Sequence, residues 1–328
     1  MKKAYLFLIF LCLTYKCFSQ VTITRFDSIK VKVNGQNLRS PWAGGLSAPQ
    51  FSSIDINLDG IKDLLIFDRT GNRVRTFINE GDSGEIKYTY NPEFESEFPS
   101  ELLYFVLAVD YNCDGKEDLF TYSSEAGGMA VYKNTSTTSN LNFQKATSLI
   151  ISEYEGGLNL NLYVSPSNLP ALIDVDNDGD LDVLTFDIGG VNMEFHKNMS
   201  KDLYGNCDSL VFEQFPGCWG DFQGSSYNDV LLHAGCKKPR GINLNAGAHS
   251  GSTILALDMN NDGAKELLIG CVCDNSILML TNGGTPDTAI MVAQTTNFPS
   301  SLAVNLATFP AAFHIDINND GKRDLVVA

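Results

Sequence analysis

Histidine and tryptophan are scarce in this chain, with four and two in 328 residues. No nucleophile elbow, zinc-binding triad or phosphate-binding loop accompanies them. Positive charge is also short: 23 Lys and Arg face 39 acidic residues, a net charge of −16. That field repels phosphate backbones, so nucleic acid is excluded as a partner. After residue 14 no apolar run reaches the ~18–20 residues that cross a bilayer, and no transmembrane span is expected. Paired Cys-x-x-Cys spacings are missing too, which argues against structural zinc. Apolar residues, by contrast, make up 44% of the chain against 19% charged, so a sizeable folded core is expected. The length suits one large domain or two ordinary ones.

Residues 1–19 read as a secretory signal. Lys2 and Lys3 precede the apolar stretch Ala4 to Thr14, and Cys17, Phe18 and Ser19 offer a small-x-small cleavage site before Gln20. Export predicts an oxidising compartment for the six remaining cysteines, Cys113, Cys207, Cys218, Cys236, Cys271 and Cys273. An even number there favours disulfides, with 15 possible connectivities. Cys271 and Cys273 would share one face of a strand, so bonds to separate partners are expected for them.

One pattern organises the rest: Asp-x-Asn/Asp-x-Asp-Gly-x-x-Asp/Glu followed by apolar residues. It starts at Asp55, Asp110, Asp174, Asp258 and Asp316, at intervals of 55, 64, 84 and 58 residues. Periods of this size indicate a solenoid, propeller or array. Each complete copy carries an Asn 24 residues after its first Asp, namely Asn79, Asn134, Asn198 and Asn282. Two short strand-like runs lie between loop and Asn, such as DLLIF then NRVRTFIN. A further run precedes each loop (FSSI, YFVLAV, PALI, STILAL, AAFHI), and another follows each Asn (EIKYTY, LNFQKA, SLVFEQ, TAIMVA). These segments are β-branched and aromatic, bounded by Gly, Asn and Asp. Four strands per unit, repeated in tandem, make the blade of an all-β propeller. Independent β-sandwich modules would need ~100 residues each.

The loop has the composition of a hard-cation site. Ca²⁺ takes six to eight oxygen ligands from carboxylates, amide oxygens and a backbone carbonyl. Counted from the first Asp, positions 1, 3, 5 and 9 supply side-chain oxygens, position 6 is the turn glycine and position 7 offers its carbonyl. The candidate ligands are Asp55, Asn57, Asp59, Ile61 and Asp63 in the first loop, and Asp110, Asn112, Asp114, Lys116 and Asp118 in the second. The third has Asp174, Asp176, Asp178, Asp180 and Asp182, the most charge and hence the tightest expected site. The fourth has Asp258, Asn260, Asp262, Ala264 and Glu266, and the fifth Asp316, Asn318, Asp320, Lys322 and Asp324. An EF-hand is excluded because its position-12 Glu is replaced by Ile66, Thr121, Thr185, Ile269 and Val327. Sixteen of the 39 acidic residues occupy positions 1, 3, 5 and 9, which leaves 23 against 23 basic ones. The acidity of the chain resides in its loops.

These units resemble the FG-GAP/VCBS repeat family, best known from the propellers of integrin α-subunits, from about residue 45 to the end. The resemblance implies a calcium-binding hairpin within each blade, with Glu266 a departure from the usual Asp. It also implies a secreted bacterial protein of the kind that carries such repeats ahead of a type IX sorting tail. The fifth unit stops at Ala328, before an Asn due at position 340, so a fragment of a propeller of six to seven blades is expected.

The long third interval contains an insert at about 203–247 with Cys207, Cys218, Trp219, His233 and Cys236. It is expected to be a disulfide-stapled loop on the rim, with Cys218–Cys236 as the preferred bond. The propeller at 20–328 is expected to be an extracellular binding or adhesion module for a protein or glycan, without catalysis. The alternative is a polysaccharide lyase or hydrolase, which would require His233, Arg240 and His249 to converge with a Tyr in one pocket. His196 and His314 lie within the repeat and have structural explanations. Asn134-Thr-Ser and Asn198-Met-Ser have the form of glycosylation sites but coincide with the repeat Asn.

Overall fold

Apolar runs that alternate residue by residue between two partners need a sheet covered on both faces, and the computed structural model has that form. It describes residues 26, 28–225, 227–236, 251–307 and 309–328. The signal at 1–19, Arg240 and His249 lie outside them. The chain divides into Met1–Gly44 and Gly45–Ala328. Described residues of the first unit form a hairpin of β1 (Lys32–Val33) and β2 (Gln36–Asn37), turned by Asn34 and Gly35 at positive φ.

The second unit is a β-propeller. Blade 1 holds β3 (Pro49–Ile54), β4 (Asp63–Asp68), β5 (Arg73–Asn79) and β6 (Tyr88–Tyr90). Blade 2 holds β7 (Val106–Val109), β8 (Asp118–Tyr122), β9 (Met129–Asn134) and β10 (Phe143–Thr147). A hairpin of β11 (Ile151–Tyr154) and β12 (Leu158–Asn161) follows. Blade 3 holds β13 (Ala171–Ile173), β14 (Asp182–Phe186), β15 (Met193–Asn198) and β16 (Phe212–Gln214). The short helix α1 (Ser200–Tyr204) connects its last two strands. A second hairpin, β17 (Phe222–Gly224) and β18 (Val230–Leu232), precedes blade 4. That blade holds β19 (Ser252–Leu257), β20 (Glu266–Cys271), β21 (Ile277–Asn282) and β22 (Met291–Phe298). A fifth unit has β23 (Ala312–Ile315) and β24 (Asp324–Val327). Each expected strand run lies on one of these elements. The total of six to seven blades concerned a longer chain; the described residues of 45–328 build four complete blades and a two-stranded fifth unit.

The strands within each blade are antiparallel neighbours in chain order. The second strands β4, β14 and β20 are buried at every position, and β8 nearly so. Their side chains alternate between two interfaces, following the period of two. Leu65 and Phe67 pack toward blade 2, whereas Leu64 and Ile66 pack toward the fifth unit. Likewise Leu267 and Ile269 join the cluster shared with blade 3, while Leu268 faces Ala312 and Leu325 of the fifth unit. Because Ile315 and Val326 pack with Leu64 and Ile66, the fifth unit lies between blades 4 and 1. Gly270 makes this approach possible, since a Cβ there would sit 1.7 Å from the Pro310 carbonyl oxygen.

Two decorations were not legible as blade strands. Hairpin β11–β12 adds to blade 3, with β11 parallel to β16, and makes a six-stranded sheet. The insert expected at about 203–247 overlaps the end of α1 and all of β16, and its Trp219, Phe222 and Val230 are buried between blades 3 and 4. Gln294 holds it through both amide atoms, accepting from the Val230 N–H (2.9 Å) and donating to the Val230 carbonyl (3.0 Å). The insert is therefore wedged into the core as well as exposed on the rim. Among the described residues no helix is long and apolar enough to cross a membrane.

Among the described residues three disulfides are present: Cys113–Cys207, Cys218–Cys236 and Cys271–Cys273. The second is the expected staple of the insert. The third corrects the expectation of separate partners for Cys271 and Cys273. The strand ends at Cys271, and the turn through Val272 brings the two Cα atoms to 5.1 Å, closer than the ~7 Å between alternate residues of an extended strand. Cys113–Cys207 spans 94 residues and joins blade 2 to the segment after α1. Replacing both of its cysteines by serine is expected to cost about 4–5 kcal/mol, against about 3 kcal/mol for the insert staple, from the chain entropy each loop removes. Urea denaturation of the two double variants measures the difference.

Candidate metal centres

Each acidic loop joins the innermost strand of its unit to the second strand, so the five gather on one face of the propeller. Their backbones repeat one another. Position 4 is left-handed in all five, with φ between 60° and 65° at Leu58, Cys113, Asn177, Asn261 and Asn319. The turn glycines Gly60, Gly115, Gly179, Gly263 and Gly321 have φ from 82° to 95°, where a Cβ would be strained.

The carboxylates hold this shape. Asp at position 1 accepts the position-5 N–H with Oδ1 and the glycine N–H with Oδ2; for Asp174 these bonds are 3.1 and 3.0 Å. The same pair recurs at Asp55, Asp110, Asp258 and Asp316. Position 5 accepts the position-7 N–H, as in Asp59 with Ile61 at 2.8 Å. An ionised carboxylate has about four lone-pair sites, so each keeps acceptor capacity after these bonds.

The position-9 carboxylate reaches furthest inward. Asp118 accepts the Tyr111 N–H (3.1 Å) and the N–H of Asn134 (2.7 Å), and Asp63 and Asp182 do the same with the equivalent partners. The repeat Asn returns the contact. Asn134 Nδ2 donates to the Glu117 carbonyl at 3.0 Å, and its Oδ1 accepts the Ser136 N–H. Asn79, Asn198 and Asn282 repeat this geometry. The side chains of Asn134 and Asn198 are thus buried and engaged.

The third loop differs. Among the described residues it alone brings three carboxylates within 4.8 Å of one another, those of Asp174, Asp176 and Asp182. In the first and fourth loops the position-3 Asn donates its amide to the position-5 Asp at 2.9 Å. Position 3 of the third loop is Asp176, and an ammonium supplies that positive partner instead. Lys197 Nζ lies 2.8 Å from Asp176, 3.1 Å from Asp178 and 2.9 Å from Asp202. Asp180, expected to act through its carbonyl, has a buried carboxylate whose Oδ1 lacks a hydrogen-bond partner. An unpartnered buried oxygen beside converging carboxylates fits a hard cation.

Positions not anticipated from the sequence also matter. Position 4 bridges neighbouring loops: Asn177 donates to the Gly263 carbonyl (2.9 Å), and Asn319 exchanges side-chain bonds with Asn79 (2.7 and 3.1 Å). Cys113, at the same position, bonds to Cys207. Position 8 reaches the axis in three of the loops, where Lys62, Glu117 and Arg323 help line a central cavity of about 490 Å³. Lys62 and Glu117 pair there at 2.5 Å. Position 4 looks unremarkable in sequence because Leu58, Cys113 and the three Asn share no common side-chain chemistry.

Ser152 Oγ lies 2.9 Å from His196 Nδ1, and His196 Nε2 lies 3.5 Å from Glu194. Both Ser152 and His196 are fully enclosed, so no substrate reaches that hydroxyl. His233 is exposed and faces Asp221 at 3.4 Å.

Residues 110–185, which contain the second and third loops, match the family model of the FG-GAP-like repeat. No curated protein matches the chain. Among solved structures, a chain in the crystal structure of TcdB2-TccC3 aligns at 12% identity with a TM-score of 0.37; the alignment covers 87% of this chain and 14% of that one.

Burial without a cation pushes the position-9 carboxyls upward: Asp118 to about 7 and Asp182 to about 8, with Asp63 also raised. A carboxyl whose folded pKa exceeds its unfolded value stabilises the fold below the unfolded pKa, and that stability is lost as pH rises through the folded one. The window here runs from about pH 4 to pH 8. In chelator the protein is therefore expected to melt at a higher temperature at pH 5 than at pH 8. Excess calcium, which competes with protons for the same oxygens, is expected to reduce or reverse that difference.

Proposed function

We propose that this chain is a secreted, calcium-stabilised β-propeller that acts as an extracellular binding or adhesion module for a protein or glycan. The observation that carries the reading is the five-fold recurrence of one loop geometry, with the same backbone bonds to the carboxylates at positions 1 and 5. Turns selected only for shape would not need charge at every one of these positions, because Asn supplies the same hydrogen bonds without repulsion. Positions 1, 3, 5 and 9, with the position-7 carbonyl, would hold the ion in each loop, and its charge would offset the crowded carboxylates.

Three disulfides suit an oxidising compartment. They agree with export directed by residues 1–19 and with a propeller domain in the remainder. The insert tip offers Tyr227 and Leu231, 74% and 61% exposed, as part of the contact face. The polysaccharide-enzyme alternative needs Arg240 and His249, which lie outside the described residues.

Extracellular calcium modules typically have Kd values of ~10⁻⁴–10⁻³ M. At tenfold excess each site would add about 1.4 kcal/mol, and five sites roughly 7 kcal/mol, comparable with the whole stability of a domain. Thermal melts in chelator and in millimolar calcium are expected to differ by many degrees, with calcium retained in elemental analysis. An unchanged midpoint and no retained calcium would reduce the loops to turns.

Lys197 adds a finer prediction. Its ammonium competes with a cation for Asp176 and Asp178, which opposes the tight binding expected of the third loop. Lys197→Gln is expected to lower the midpoint in chelator and to enlarge the rise on adding calcium. Equal losses in both conditions would mean that the lysine only packs.

A further inference from the structure

Cys271 and Cys273 lie at the β20–β21 turn of blade 4, at the opposite end of β20 from its acidic loop. Only Val272 separates them. Cys271 is buried at 2% exposure, whereas Cys273 is exposed. The Cys273 N–H donates to Cys271 Sγ at 3.0 Å. We propose that this disulfide is a thiol–disulfide exchange site, reduced and reoxidised by external thiols and disulfides while the blade stays folded.

The chemistry follows from the asymmetry. An external thiolate attacks the accessible Cys273 sulfur and forms a mixed disulfide. The Cys271–Cys273 S–S bond breaks, and its electron pair leaves on Cys271, where the Cys273 N–H stabilises the developing charge before protonation. A second thiolate attacks the external sulfur, giving a free external disulfide and releasing Cys273 as a thiolate that is protonated. The protein gains two electrons and two protons, and two external thiols are oxidised to one disulfide. Reoxidation runs the same steps in reverse from an external disulfide.

The fold tolerates this cycle because the turn is held without the sulfur bond. Cys271 is paired with Ser252 at the end of the β19–β20 ladder. The Val272 N–H donates to the Gly251 carbonyl at 3.1 Å, and the Ser276 N–H donates to Asp274 at 2.8 Å. A ring enclosing a single residue also removes little entropy from the unfolded chain, unlike the bridges that span 94 and 18 residues.

The test equilibrates the intact chain in reduced and oxidised glutathione at graded ratios, followed by alkylation and peptide mass spectrometry. Cys271 and Cys273 are expected to be labelled together at a reduced-to-oxidised ratio at least tenfold below that needed by the other two pairs. The β-sheet circular dichroism should stay unchanged, and oxidised glutathione should restore the bond. Reduction only alongside the other pairs, or loss of the β signal on reduction, would overturn the proposal. Single variants check the attacked sulfur: Cys273 in Cys271→Ser should take up glutathione from its disulfide at least tenfold faster than Cys271 in Cys273→Ser. Equal or inverted rates would refute that assignment.

Discussion

The architecture depends on the carboxylate at position 9, which is buried in four of the five loops, at Asp63, Asp118, Asp182 and Glu266. Asp118 shows why: one oxygen accepts the N–H of Tyr111, which leads into the loop, and the other accepts the N–H of Asn134 at the end of the third strand. One side chain thus ties the loop, the second strand on which it sits and the third strand together. A carboxylate removed from water and unsatisfied would cost several kcal/mol, so these backbone donors are a requirement of its burial. The acidic loop and the hairpin that builds the blade share one hydrogen-bond network.

From that anchor the apolar alternation does the rest. Once β4, β8, β14 and β20 are fixed in register by their first residue, every second side chain is committed to one neighbouring blade and the others to the opposite one. Phe120 goes to the interface with blade 3 and Leu119 to that with blade 1. A slip of one residue would exchange the two sets and mismatch both interfaces. This is the reason such short second strands, five or six residues each, specify their pairing.

The propeller and the candidate ligands were legible because the loop repeats with fixed spacing, and a fixed register survives changes in the residues between. Features that occur once carried no such signal. Hairpin β11–β12 has ordinary strand composition, but its parallel docking on β16 depends on partners more than fifty residues away. Trp219 looked like a rim aromatic because nothing local shows that blades 3 and 4 leave room for it. Lys197 sits 23 residues after Asp174, and only the pairing of β14 with β15 returns it to the acidic loop. The Cys271–Cys273 pairing was misread by treating both residues as strand, when β20 ends at the first of them.

The contact between the fifth unit and blade 1 bears on how the chain reaches this structure. Asn79 and Asn319 meet across 240 residues, whereas the strands within a blade pair locally. Blades can therefore form early, from neighbouring segments, before their outer faces are covered. Joining the two ends of the array adds little entropy cost beyond that of a shorter loop, because the cost grows only with the logarithm of length. It does require the intervening blades to be in place first, which makes ring closure a late and slow event in folding. Until then Leu64, Ile66 and Ile315 remain open to solvent, and the partly assembled array is most exposed to association with other chains.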